Sequence, residues 1–122
     1  MVINKVMVCV TQQKTCERLI EKGKDLFQNA NDELYIIHVV NENDKLLNDY
    51  SDGEALEYLF GITKLLDAEL IIERSKNIIE TLVKFATEKK INIIVIGKSP
   101  DKKNPFEEKL KKKLKNIEMY VV

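Results

Sequence analysis

Five stretches of the chain are dominated by apolar, mostly β-branched residues, and polar or amphipathic stretches separate them. Lys5–Val10, Leu34–Val40 and Ile91–Ile96 are apolar without alternation, the pattern of strands buried on both faces. Ala68–Glu73 is shorter and more polar and reads as a sheet edge, and Ile117–Val122 is a fifth strand. Between them the period changes to helical. Leu19, Ile20, Leu26 and Phe27 mark a helix over Cys16–Asn29 that Thr15 can cap, with Gly23 between them. Asn41–Asp52 has no clean period and is expected to be a loop. Ser51-Asp52-Gly53-Glu54 reads as a capping box ahead of a second helix that runs to about Leu66. Asn77-Ile78-Ile79-Glu80 is a second such box, opening a helix with Ile78, Ile79, Leu82, Val83, Phe85 and Ala86 on its apolar side. Asn104-Pro105-Phe106-Glu107 starts a fourth helix, roughly Pro105–Lys115, with Phe106, Leu110 and Leu114 on one side.

Strict alternation of strands and helices requires parallel pairing, with helices on both faces of one sheet. The expected fold class is α/β: a doubly wound, five-stranded parallel sheet of order 3-2-1-4-5, forming a single domain over residues 1–122. In such a sheet the ligand crevice opens where the strand order reverses, between strands one and four. The loops Thr11–Thr15 and Gly97–Asp101 face each other there.

Composition narrows the function classes. Lys plus Arg and Asp plus Glu number 20 each, so the formal net charge is zero, which argues against nucleic acid as a partner. Met1-Val2-Ile3-Asn4-Lys5-Val6 enters a strand-like pattern without a secretory leader, and no apolar run approaches the ~20 residues of a membrane span. The expectation is a cytoplasmic protein, not membrane-bound, whose Cys9 and Cys16 are reduced.

Ile93-Ile94-Val95-Ile96-Gly97-Lys98-Ser99-Pro100 is a buried strand that ends on a glycine, an ammonium and a hydroxyl, all suitable donors for an anion. It is not a Walker phosphate loop, because Asn92 stands where that motif needs its first glycine. Strand one ends in Val10-Thr11 without the carboxylates of a receiver domain, and its loop lacks the glycine of a flavodoxin. The two cysteines read as packed thiols, with redox sensing by Cys16 as the alternative. His38 reads as a packed histidine ahead of a ligand contact. One histidine and two scattered cysteines do not make a metal site. Lys109, Lys111, Lys112, Lys113 and Lys115 read as the solvated face of an amphipathic helix, with docking to a polyanion or acidic partner as the alternative. No paired carboxylates or nucleophile motif suggest catalysis, so no enzyme is expected.

Val8-Cys9-Val10-Thr11, Glu17-Arg18-Leu19-Ile20, Leu34 to Val39, Glu80 to Ala86, Ile93 to Ser99 and Ile117 to Val122 together resemble the universal stress protein family. The nearest subtype is the cytoplasmic domain of the potassium-responsive sensor kinase KdpD, here as a free-standing copy. The resemblance implies an adenine nucleotide alpha-hydrolase-like fold, a homodimer through the C-terminal strand, a signalling role, and an adenine nucleotide such as ATP or AMP in the crevice. Carried onto this chain, it implies a ligand site at Val10, Thr11, Gln12, Gln13, His38, Val39, Gly97, Lys98 and Ser99. ATP-binding members carry an aspartate after strand one and Gly-x-x-Gly, nine residues, then Gly-Ser or Gly-Thr. Here Thr11-Gln12-Gln13 has no aspartate, Pro100 replaces the second glycine, and Leu110-Lys111 replaces Gly-Ser. Some KdpD domains bind cyclic di-AMP through Ser-x-Ser after strand one. Thr11-Gln12-Gln13 keeps one hydroxyl of that motif, so cyclic di-AMP stays open without being expected. A module that has lost its ligand and only dimerises or docks other proteins is the remaining alternative.

Overall fold

A computed structural model of the chain describes residues 3–10, 13–28, 30–40, 52–97 and 105–122. The elements run β1 (Lys5–Cys9), α1 (Gln13–Asp25), β2 (Glu33–Val40), α2 (Asp52–Leu66), β3 (Glu69–Arg74), α3 (Ile78–Glu88), β4 (Ile93–Ile96), α4 (Pro105–Lys113) and β5 (Glu118–Val121). The five strands form one sheet of order β3-β2-β1-β4-β5, and every neighbouring pair is parallel. The expected architecture is therefore observed. The fully buried strands are the three whose apolar runs did not alternate: Val6–Cys9, Leu34–Val40 and Ile93–Ile96. β3 is a sheet edge with Glu69, Glu73 and Arg74 exposed, as its polarity predicts.

Side-chain alternation splits the core into two layers. Val6, Val8, Val10, Leu34, Ile36, Val40, Ile93 and Val95 face Leu19 and Ile20 of α1 and Leu59 of α2. Met7, Cys9, Tyr35, Ile37, Val39, Ile94 and Ile96 face Leu82 and Ala86 of α3 and Leu110 of α4. Cys9 is buried in the second layer, and burial pushes its thiol up to about 12, which keeps it unreactive. Gly23 lets α1 lie close on β1, since a Cβ there would come within 2.6 Å of Val8 Cγ2. Across the layer, the Tyr58 hydroxyl of α2 donates to Glu17 Oε1 of α1 at 2.9 Å.

Element ends follow local hydrogen bonding. α1 begins at Gln13, so Thr15 lies inside its first turn and does not cap it; Gln13 and Lys14 are good helix formers and carry the helix back. It also stops at Asp25, short of the expected Asn29. The next amides bond three residues back, Leu26 N–H to Gly23 O and Phe27 N–H to Lys24 O, and the Gln28 N–H donates to Asp32 Oδ2. Asn77 caps α3 as its box predicts, accepting from the Glu80 N–H at 3.1 Å. α2 and α3 end alike: Asp67 and Lys90 take positive φ, and the following amides, Ala68 and Ile91, reach back to Thr63 O and Ala86 O. That closure consumes Ile91, so β4 begins at Ile93 and not at Ile91. The expected cap Ser51, most of the Asn41–Asp52 loop and the cap Asn104 lie outside the described residues.

A polar network ties the N-terminal ends of three strands together. Asp32 is 7 % exposed and accepts the Asn4 N–H at 2.9 Å and the Gln28 N–H at 2.8 Å. Asn92 Oδ1 accepts the Lys5 N–H at 2.7 Å, while its Nδ2 donates to Asn4 Oδ1 at 3.2 Å. Side chains thus satisfy the backbone donors where the ladder of β1 begins.

Candidate functional site at the strand ends

The last paired row at the C-terminal edge is Cys9 beside Ile37 on one side and Ile96 on the other. One residue further along each strand stand Val10, His38 and Gly97. The fold therefore brings these three expected residues side by side at the point where the strand order reverses. The Val10 N–H donates to Ile37 O at 3.0 Å, and the Val10 carbonyl accepts from His38 Nδ1 at 2.6 Å. Val39 is separated from them: it lies on the other face of the sheet, packed in the α3–α4 layer. Gln13 supplies the first helical residue of α1. Thr11, Gln12, Lys98 and Ser99 lie outside the described residues.

His38 is 2 % exposed, and its bond to Val10 places the proton on Nδ1. Burial holds the imidazole below its ordinary pKa of 6.5, the Arg74 guanidinium adds to the depression, and the Val10 bond opposes it. The packed-histidine reading fits this placement. It also fixes the pH dependence. Between the depressed value and 6.5 the unfolded chain binds more protons than the folded one. This stability contribution is fully present above pH 6.5 and is lost as pH falls from there through the folded value. Urea unfolding at descending pH should show the loss. His38→Gln should flatten it, and an equal slope in that variant would exclude His38 as the source.

Among the described residues nothing requires glycine at Gly97: its φ is not positive, and an added Cβ would meet the Leu19 side chain at 3.5 and 3.9 Å, ordinary contact. Gly97 is half-buried, and a glycine lets another group approach its backbone closely. Sequence reasoning did not foresee that Leu19 of α1 floors this position or that Arg74 acts on His38, because neither pairing is local in the chain. A hollow of about 230 Å³ lies elsewhere, between α1 and α2, lined by Glu17, Ile20, Glu21, Ile62, Leu65 and Leu66. No group of three or more metal-ligating side chains occurs among the described residues, and no helix among them is long and apolar enough to cross a membrane.

The five-stranded parallel sheet of order β3-β2-β1-β4-β5 with its four helices has the adenine nucleotide alpha-hydrolase-like fold. The chain belongs to the universal stress protein family, whose sequence model matches residues 3–110. No curated protein matches the chain. Among solved structures it is similar to a universal stress protein from Archaeoglobus fulgidus, with 20% identity, a TM-score of 0.70, and coverage of 99% of this chain and 94% of that one. It is also similar to the universal stress protein UspA from Lactobacillus plantarum, with 13% identity, a TM-score of 0.77, and coverage of 100% and 99%. A third similar structure is a universal stress protein in complex with cAMP, with 14% identity, a TM-score of 0.71, and full coverage of this chain.

Proposed function

We propose that the protein is a regulatory module that binds an adenine nucleotide at the ends of β1, β2 and β4. The observation that carries this reading is Gly97, a glycine that neither its backbone angle nor packing against the described residues requires, beside Val10 and His38 at the switch point. The cAMP complex of a similarly folded family member supports adenine as the base. Thr11, Gln12, Gln13, Lys98 and Ser99 flank the row in sequence and complete the proposed site. Pro100 and Leu110-Lys111 replace the family's further glycines, so phosphates are held more weakly than in members with the full motif. The role is signalling and not catalysis, in the cytoplasm, in the manner of a KdpD-type domain. A homodimer pairs along β5, which lies at the sheet edge opposite β3.

Titration calorimetry with ATP, AMP, cAMP and cyclic di-AMP tests this. Heat is expected with at least one mononucleotide. Gly97→Val should weaken that binding about tenfold, by ~1.4 kcal/mol, while the urea midpoint stays nearly unchanged. Silence with all four ligands well above micromolar concentration would overturn the reading.

A further inference from the structure

The outer face of α2 carries features the fold itself does not use. Leu59 and Thr63 turn inward and are buried. On the opposite side Glu57, Phe60, Gly61 and Lys64 follow the i, i+3, i+4, i+7 spacing of a single stripe. Phe60 is 66 % exposed, and Leu56 and Leu65 flank the stripe at 43 % and 87 %. Gly61 is exposed in mid-helix, and an added Cβ there would come within 4 Å of none of the described residues. Such a glycine weakens the helix without a packing gain among them. Glu57 and Lys64 make no ion pair among the described residues.

The stripe is self-complementary. Two antiparallel copies of α2, related by a two-fold axis between Phe60 and Gly61, set each Glu57 opposite the partner's Lys64, because the two positions are equidistant from the axis. The same operation lays the two Phe60 rings beside each other and brings the two Gly61 backbones together, where the missing side chains allow close approach. We propose that α2 is a symmetric docking surface for a second copy of this chain. It lies on the β2–β3 side of the sheet, away from the β5 edge, and does not depend on nucleotide binding. Charge complementarity specifies the occupant: a two-fold pairing satisfies both charges of each copy, and the aromatic and glycine positions fall into register at the same time.

Sedimentation velocity across a concentration series reads the assembly mass. Glu57→Lys or Lys64→Glu alone should weaken association about tenfold, since two attractive pairs become repulsive. The average mass should fall toward half at concentrations just above the wild-type dissociation constant. The double variant Glu57→Lys with Lys64→Glu should restore it. Gly61→Ala should raise the melting temperature of the isolated chain by a few degrees and still weaken association, a combination that a purely structural glycine would not give. A wild-type monomer at all concentrations, or an assembly mass indifferent to both single reversals, would overturn the proposal.

Discussion

Gly23→Ala destabilises the protein, although alanine is the better helix former. The added methyl group meets Val8 Cγ2 at 2.6 Å and Leu34 Cδ1 at 3.1 Å. Val8 is fully buried on the central strand, and its branched side chain has little rotamer freedom with which to yield. The helix must lift instead, and every α1 contact with the sheet loosens with it. Overpacking of this kind costs about 1–3 kcal/mol, against at most ~1 kcal/mol gained in helix propensity. The net result is a loss of about 1–2 kcal/mol in urea unfolding, and Gly23→Leu leaves no folded protein. An alanine variant as stable as wild type would show that α1 sits further from β1 than described. The same substitution at Gly61 has the opposite sign for the isolated chain, because the added Cβ comes within 4 Å of none of the described residues.

Asp32→Ala has a comparable or larger effect. The carboxylate satisfies the Asn4 and Gln28 amides, at 2.9 and 2.8 Å, in a nearly buried position. Removing it orphans both donors and frees the Asn4 amide group that reaches its second oxygen at 3.4 Å. Each orphaned donor costs about 1–3 kcal/mol, so the expected loss for the two is about 2–6 kcal/mol. Asp32→Asn retains an acceptor for one of the two amides and should cost about half as much. Chemical denaturation of the two variants beside wild type measures both values. Equal stability of the asparagine and alanine variants would mean that only one of the two bonds matters.

These two sites show where sequence reading succeeds and where it stops. The unbroken apolar runs of β1, β2 and β4 pointed to burial on both faces, alternation with helices required parallel pairing, and the strand order followed from the one that doubly wound sheets of this size usually adopt. The capping box at Asn77 was readable because its partners lie three residues apart. Asp32, by contrast, is one of several polar residues ahead of β2 with nothing in the sequence to set it apart. Its partner Asn4 lies 28 residues away, and Asn92 completes the network from 88 residues beyond Asn4. Nothing local marks such a residue. Gly23 and Gly61 are likewise alike in sequence, each inside a helical pattern, and only the neighbouring chain distinguishes the buried one from the exposed one. At the candidate site, the resemblance named Val10, His38 and Gly97 together. Which face each side chain occupies follows from the register, and this is what parts Val39 from its neighbour.

The polar network joins the strands at one end of the sheet, and the candidate site opens at the other. The polar network and the candidate site therefore draw on separate residues, with the full length of the strands between them. Changes in the loops after β1 and β4 leave the hydrogen bonds of that network untouched. That separation lets proteins sharing fewer than one residue in five with this chain, such as the one from Lactobacillus plantarum, keep the same backbone, while the replaced glycines of the nucleotide motif cost this chain none of its architecture.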